Sequence, residues 1–259
     1  MVYFERIDSL TVRPTAHTGG AWTQSEQHIA PALGLLAHLV EVDRDARRDD
    51  GLPLVRLACD ILGPVPVQPC THEVRVVRPG RTIELVEATL SHGGRAVAVA
   101  RAWLVAAGET SALEHSDLPP MPAPGDTEPW DPSSVWSGGF IESVEVRREA
   151  VEPGRGRVWV RTDVPLVDEP HSHLAAAAGL LDIANGMNVL ASPREVLFPN
   201  VDLTAHLFRQ PEPGWLGLDT TVSFGPAGHG LTSSVLHDER GAFGTLAQVL
   251  TVRPVSPSA

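Results

Sequence analysis

The sequence contains no lysine, because all 20 of its Lys and Arg residues are arginine. A chain without lysine cannot form a Schiff base with a carbonyl substrate or with pyridoxal phosphate. It cannot hold a P-loop either, since the lysine of that motif contacts the terminal phosphates of the nucleotide. The formal net charge of -12 argues against general nucleic-acid binding, which depends on basic residues that neutralise phosphates. We therefore expect neither lysine chemistry nor a nucleic-acid partner.

Long apolar runs and paired cysteines are also missing. No apolar stretch approaches the roughly 20 residues that span a bilayer. The opening MVYFERID carries two acidic residues and lacks the apolar centre of a secretory signal. Cys59 and Cys70 are the only cysteines, too few for a disulfide framework. These features predict a cytoplasmic protein with no membrane partner, and 259 residues with 42% hydrophobic content are enough for a substantial core.

Strand-like alternation is concentrated in two blocks, residues 54–106 and 201–252. In both blocks apolar and polar residues alternate, and glycine-containing turns separate the runs. A helix is predicted before each block, over 25–41 and over 172–186. In the second of these, Ser172 can cap the start and Gly186 can end the helix. We interpret both strand blocks as antiparallel meanders.

The two halves of the chain resemble each other at a constant offset. Three pairs of glycines or prolines differ by 147 positions, namely Gly94 and Gly241, Pro64 and Pro211, and Pro79 and Pro226. Between the halves, residues 113–136 are dense in Pro, Ser and acidic residues, as in an extended linker. One helix followed by a curled antiparallel sheet in each half predicts an α+β double hotdog, in which each unit wraps a sheet around a central helix. The predicted units are 1–112 and 137–259.

Three polar residues interrupt the patterns of the second block. Gln248 alternates with Leu246 and Leu250, so its amide lies on the face expected to be buried, where it needs a hydrogen-bond partner. Asp202 and Ser223 lie on the polar faces of two other runs. If the three strands are neighbours, a carboxylate, a hydroxyl and an amide converge. The alternatives are a solvent-facing Asp202, an ordinary strand-end Ser223 and a structural amide at Gln248.

Two further charged residues have more than one interpretation. Arg101 alternates with Val97, Val99 and Trp103, so it carries a charge on an apolar face and needs an anionic partner. That partner is either an acidic residue across the two units or a phosphate of a ligand. Asp182 lies inside the second predicted helix. It either lines a pocket or faces water, and we expect it to face water.

Four segments carry a resemblance to a known family. They are GAWTQSEQHIAPALGLLAHLVE, RPGRTIELVEATLSHGGRAVAVARAWL, NVDLTAHLFRQPEPGWLGLDTTVSFGPAGHGL and DERGAFGTLAQVLTV. In order and spacing they resemble the acyl-CoA thioesterase II family of tandem hotdog proteins over residues 10–252. The resemblance implies hydrolysis of an acyl-CoA, or of an acyl-carrier thioester, by a water held by Asp202, Ser223 and Gln248. It implies no metal, cofactor or covalent acyl-enzyme, and proteins of this kind often form homo-oligomers.

The resemblance also places the oxyanion-binding groups at the start of the first helix. The backbone N–H groups of His28, Ile29 and Ala30 would stabilise the oxyanion that forms from the thioester carbonyl. The commonest pattern in the family has two glycines after the histidine, and Ile29 and Ala30 stand in their place here. His28 itself either bonds the substrate or caps the helix.

Two other functions stay open. A non-catalytic protein that binds acyl groups or CoA thioesters would keep the fold without efficient hydrolysis. A hotdog hydratase or dehydratase would need an Asp and His pair at the helix, and the sequence gives His28 no carboxylate partner of that kind. We therefore expect a thioesterase first, a binding protein second and a hydratase or dehydratase last.

Overall fold

A 13-stranded antiparallel sheet forms the framework of the protein. The computed structural model describes residues 1–20 and 22–255. In chain order the strands are β1 Phe4–Arg6, β2 Thr11–Pro14, β3 Leu54–Ile61, β4 Cys70–Arg78, β5 Ile83–His92, β6 Arg95–Val105, β7 Pro129–Trp130, β8 Val144–Glu152, β9 Arg155–Thr162, β10 Val196–Leu197, β11 Asp202–Leu207, β12 Leu216–Phe224, β13 His229–Asp238, β14 Gly241–Thr251 and β15 Arg253–Pro254. The α-helices are α1 Ile29–Arg47, α2 Gly139–Glu142, α3 His173–Ala178 and α4 Ala184–Met187. Over these described residues, no helix combines the length and the apolar character needed to cross a membrane.

Neighbouring strands in the large sheet follow the order β1, β2, β4, β5, β6, β3, β11, β14, β13, β12, β9, β8 and β7. Strands from the two halves of the chain meet at the β3–β11 pair. The first strand of each predicted block pairs with the last one, β3 with β6 and β11 with β14. The strand positions are therefore confirmed, and β4–β5–β6 and β12–β13–β14 are antiparallel meanders as predicted. The prediction was wrong only for the first strand of each block, which pairs out of chain order. β10 and β15 form a separate two-stranded sheet.

The helix α1 is buried between the sheet of the first half and α3. Every residue from Ile29 to Glu41 is buried. A helix on one face of a flat sheet would bury a single apolar stripe. Here the strands β3, β4, β5 and β6 cover one side of α1 and α3 covers another, so the sheet and the second helix together bury it. Arg44 and Arg47 lie in the last turn, where positive charge interacts favourably with the helix dipole.

The second predicted helix is broken into short pieces. Ser172 caps α3 as predicted, since its Oγ accepts a hydrogen bond at 3.0 Å from a backbone N–H of the first turn. α3 ends at Gly179, a 3-10 turn follows over Leu181–Ile183, and α4 completes the segment. Gly186 lies inside α4 and does not end the helix, so that part of the prediction was wrong. The break changes the direction of the side chains that follow it, and Asp182 in the 3-10 turn is buried.

The strands near both edges of the sheet were not predicted from the sequence. β1 pairs with β2 at one edge, and β7, β8 and β9 form the other. β8 has the sequence VEVRREAVE, in which charged residues obscure the alternation because most of the strand is not buried. β7 lies in the predicted linker 113–136, so the end of that segment pairs with the second half of the sheet. The rest of the boundary assignment stays a prediction.

The helices α1 and α3 cross at two glycines. A Cβ atom at Gly34 would lie 2.7 Å from the Cα of Gly179 and 2.8 Å from the backbone O of Ala175. Both contacts are closer than side-chain carbons approach backbone atoms, and helical backbone cannot move aside as the end of a side chain can. The crossing therefore requires glycine at position 34.

We predict that Gly34→Ala lowers the free energy of unfolding by about 1–3 kcal/mol, because the added methyl group must push the two helices apart. Urea denaturation followed by circular dichroism measures the change. Gly108→Ala is the matched control, since nothing lies within 4 Å of a Cβ atom at that position. Its expected change is within about 0.5 kcal/mol. Equal effects of the two substitutions would contradict the close crossing.

Candidate active site

A cavity of about 660 Å³ opens at the start of α1 and is lined by residues from both halves of the chain. Exposed lining residues mark its opening: Trp22, Thr23, Leu62, Pro64, Val201 and Arg253. Buried lining residues mark its inner part: Gln27, Ile29, Val65, Trp136, Ile141, Ile183 and Met187. The inner wall is mainly apolar. Within this wall, the carboxyl group of Asp182 lies beside the imidazole of His28, with 3.7 Å between Oδ2 and Nδ1.

Asp182 is held in an asymmetric environment. Its Oδ1 accepts a hydrogen bond from Asn200 Nδ2 at 2.6 Å and another from Gln248 Nε2 at 2.8 Å. Its Oδ2 accepts no hydrogen bond from any described residue. Only 6% of Asp182 is exposed, so the expectation that it faces water was wrong. One oxygen fixes the orientation of the carboxyl group, and the other is left for a water or a ligand in the cavity.

Burial raises the pKa of Asp182 to about 7, although the hydrogen bonds from Asn200 and Gln248 act in the opposite direction. Removing a carboxylate from water destabilises its charged form, and two amide donors compensate only in part. Because Oδ1 already accepts two N–H groups, the proton of the neutral form lies on Oδ2. Near neutral pH, Asp182 can therefore take up and release a proton at the oxygen beside the cavity.

His28 caps α1, which resolves one of the alternatives for this residue. Its Nδ1 accepts a hydrogen bond from Ala30 N at 3.2 Å, and its ring packs on Phe140 with the centroids 4.3 Å apart. Burial lowers the pKa of His28 to about 3, so the ring is neutral at physiological pH. With Nδ1 acting as the acceptor, the ring proton is on Nε2. The contact with Asp182 is therefore not an ion pair at neutral pH.

The three predicted oxyanion donors differ in availability. The N–H of His28 donates to Thr18 O at 2.7 Å, and the N–H of Ala30 donates to the imidazole of His28. The N–H of Ile29 finds no acceptor among the described residues, and Ile29 lines the cavity whereas Ala30 does not. An N–H group at a helix start lies at the positive end of the helix dipole. The structure therefore leaves one of the three amides for an oxyanion, that of Ile29.

The structure does not bring Asp202, Ser223 and Gln248 together, and the prediction that they share one water is corrected. Gln248 is fully buried and bonded to Asp182, as its place on the apolar face indicated. Asp202 lies on the opposite face of the sheet, where its Oδ1 accepts a hydrogen bond from Val249 N at 2.7 Å. Ser223 is exposed on β12, and β13 separates that strand from β14. Because successive side chains of a strand alternate between faces, the sheet itself lies between these groups.

Arg101 also lies outside the cavity. Its side chain is 56% exposed, and its Nε donates to Glu87 Oε2 at 2.7 Å. Glu87 binds Arg75 on its other oxygen at 2.6 Å, so three neighbouring strands of one unit form an ion-pair ladder. The expected anionic partner exists, but it neither crosses the units nor belongs to a ligand. The inner face of β6 is formed by small residues, Ala98, Ala100 and Ala102, so the larger residues beside Arg101 mark the outer face.

Two residues of this site, Asp182 and Asn200, were not predicted from the sequence as site residues. Asp182 was noticed, but a charged residue in a short helix pattern is normally solvated, and the break after Gly179 could not be foreseen. Asn200 lies just before β11, where it forms an isolated β-bridge with Leu250, and no sequence pattern marked it. The usable signal was the acidic residue within the otherwise uncharged run GLLDIANG.

Comparison with known protein families agrees with this architecture. The acyl-CoA thioesterase N-terminal domain matches residues 18–105, and the acyl-CoA thioesterase C-terminal domain matches residues 115–252. The chain belongs to the acyl-CoA thioesterase family. The resemblance seen in the sequence is thereby confirmed, and the enzyme is a thioester hydrolase. No match is found among curated proteins.

Solved structures similar to this thioesterase share its fold. A protein of unknown function with a hot dog fold from Alicyclobacillus acidocaldarius aligns with a TM-score of 0.76 at 18% identity, over 98% of this chain and 96% of that chain. An acyl-CoA thioesterase II from Mycobacterium marinum aligns with a TM-score of 0.68 at 19% identity, over 99% and 96%. A tesB protein from Mycobacterium avium subspecies paratuberculosis aligns with a TM-score of 0.66 at 18% identity, over 97% and 96%. The predicted tandem hotdog architecture is confirmed.

The pKa of Asp182 predicts a pH-dependent stability. Its ordinary value is 3.8 and its folded value is about 7, so between these limits the folded thioesterase holds a proton that the unfolded chain has lost. Stability due to this group is therefore present at low pH and is lost as pH rises toward 7, by roughly 1.4 kcal/mol per pH unit at most. Asp182→Asn removes this loss. We predict that the variant gains stability relative to the unaltered protein as pH rises from 4 to 8.

Urea denaturation at several pH values measures this difference. The lowered pKa of His28 acts in the opposite sense, because stability due to its neutral ring is lost as pH falls below the ordinary value of 6.5. Burial is the cause of the lowered pKa of His28, and Asp182→Asn leaves the ring buried, so the contribution of His28 is expected to be similar in both proteins. A difference that stays constant with pH would show that Asp182 is ionised throughout this range.

Proposed function

We propose that the enzyme hydrolyses acyl-CoA thioesters with Asp182 as the general base that activates the attacking water. The observation that supports this assignment is the asymmetry of the carboxyl group: Asn200 and Gln248 fix Oδ1, and Oδ2 is open beside the cavity. A water bonded to Oδ2 would lie close to the start of α1, where a thioester carbonyl can approach. A pKa of about 7 suits a general base that works near neutral pH.

The reaction begins with Asp182 ionised. As the water oxygen bonds to the carbonyl carbon, one water proton moves to Oδ2 and the carbonyl oxygen becomes an oxyanion. The N–H of Ile29 stabilises the oxyanion, and the Nε2–H of His28 is a second candidate donor. When the carbon–sulfur bond breaks, its electron pair leaves with the sulfur, and Asp182 returns the proton to the thiolate. The products are a carboxylic acid and the CoA thiol, and Asp182 is ionised again.

The shape and polarity of the cavity agree with an acyl substrate. Its buried residues are mainly apolar, and each methylene group that leaves water for such surroundings contributes about 0.8 kcal/mol to binding. The exposed opening leaves room for the carrier outside the protein. Uptake of the acyl chain would also displace water from the apolar part of the cavity, which strengthens the hydrogen bonds to the developing oxyanion.

The structure supports one requirement of the hydratase or dehydratase alternative and contradicts another. Asp182 is the carboxylate partner that the sequence did not give to His28. Elimination of water from a hydroxyacyl thioester needs one group to remove the α-proton and a second to protonate the leaving hydroxyl. The lone pair of His28 Nδ1 is engaged by the N–H of Ala30, and Nε2 carries the ring proton. His28 then has no free nitrogen to act as a base, and hydrolysis by Asp182 alone is favoured.

We predict that Asp182→Asn lowers kcat/KM for acyl-CoA hydrolysis by at least about 100-fold, because an amide cannot accept the proton of the water. Release of free thiol from a panel of acyl-CoAs measures the rate. Asp202→Asn and Ser223→Ala are matched controls on the outer face of the sheet, and both should keep the rate of the unaltered enzyme. A large loss in Asp202→Asn with none in Asp182→Asn would refute the assignment. Tight acyl-CoA binding without thiol release would favour the binding-protein alternative.

The pH dependence of the rate gives an independent test. We predict that kcat/KM rises with pH and levels off above about pH 7, as Asp182 loses its proton. Gln248→Leu should move this rise to higher pH, since the hydrogen bond from Gln248 lowers the pKa of Asp182. The profile is measured between pH 5 and 9 under conditions where both proteins stay folded. An unchanged pH profile in the variant would show that Gln248 does not affect the pKa of the base.

A further inference from the structure

Trp136 forms a fixed part of the cavity wall, at the end of the predicted linker 113–136 and inside the match to the C-terminal family domain. Its side chain lines the cavity and is only 6% exposed. The indole Nε1–H donates to the backbone O of Gly186 at 2.7 Å. A buried indole N–H needs such a partner, and the bond sets the direction of the ring. The end of the predicted linker therefore contributes directly to the cavity wall.

Two aromatic neighbours and one glycine hold the ring of Trp136. Trp22 meets it edge-on, with the centroids 5.0 Å apart and the planes at 78°, and Phe198 meets it at 5.9 Å and 81°. A Cβ atom at Gly186 would lie 3.0 Å from Nε1 of the indole and 3.2 Å from Cε2. The ring is thus seated directly against the backbone of α4. These contacts and the hydrogen bond to Gly186 hold the ring of Trp136 in one orientation.

The size and burial of this wall give it a role. If the carrier stays outside the opening and the thioester reacts at Asp182, the acyl chain occupies the buried part of the cavity, which Trp136 lines together with Ile141 and Met187. We propose that the fixed ring of Trp136 limits the space for the acyl chain and so sets the longest acyl chain that the enzyme hydrolyses well. This inference rests on the proposed function.

The test compares acyl-CoAs of increasing chain length in the unaltered enzyme, in Trp136→Ala and in Trp136→Phe. Removing the indole should move the optimum of kcat/KM to longer chains, with a change of roughly tenfold or more in the ratio of long to short substrates. Trp136→Phe retains a ring in the wall but loses the hydrogen bond to Gly186, so its optimum should move less. Trp130→Ala is the matched control, because that tryptophan stacks on Arg148 and does not line the cavity.

The outcomes separate this inference from the proposed function. If the unaltered enzyme releases no thiol, the proposed function fails. If it releases thiol and Trp136→Ala keeps the same chain-length profile, the role of Trp136 is overturned and the proposed function stands. Circular dichroism checks the fold of each variant, and Trp136→Leu replaces Trp136→Ala if the latter does not fold. An equal shift of the profile in Trp130→Ala would also refute a specific role for Trp136.

Discussion

A buried carboxyl group is unstable in its charged form, and this enzyme is organised to hold one. Asp182 lies in a mainly apolar wall, and two side-chain amides from different parts of the chain donate to the same oxygen. The amide of Gln248 comes from the central strand β14, and that of Asn200 from the β-bridge residue just before β11. The donors prevent the pKa from rising further, while burial keeps it well above 3.8. A group balanced in this way can exchange a proton near neutral pH without help from a metal or a second base.

The geometry of the helices decides where that carboxyl group lies. α1 and α3 approach so closely that Gly34 contacts the backbone of Gly179. Directly after Gly179 the chain leaves α-helical geometry and forms the 3-10 turn that carries Asp182. A continuous helix would direct this side chain differently. The helix crossing and the turn that carries Asp182 are thus adjacent in the chain, and the turn places Asp182 beside His28 at the start of α1.

Local periodicity predicted part of this arrangement from the sequence. Ser172 was recognised as a helix cap, and Gln248 as a polar residue on a buried face, because both depend on neighbours close in sequence. The pairing order of the strands depends on contacts between distant segments, so the separation of Ser223 from β14 could not be read from alternation. Asp202 illustrates the same difficulty. The alternation of its strand indicates that the side chain faces away from the core, but it does not indicate which group the side chain contacts there. Only the folded chain brings Asp182 to Asn200.

The two halves of the repeat have diverged in what they place at the start of their helices. At the start of α1 a cavity remains open. At the start of α3, Ser172 Oγ donates to Glu41 Oε2 at 2.5 Å, and His38 Nε2 lies 2.8 Å from Glu169 Oε1. Glu169 also binds Arg6, and these partners hold its pKa at about 2. At this end both oxygens of Glu169 are bound, and the buried carboxyl group of Glu41 is bound by Ser172 while burial raises its pKa. The start of α3 is therefore filled by a side-chain network that ties the N-terminal strand to the helices, whereas the start of α1 opens into the cavity.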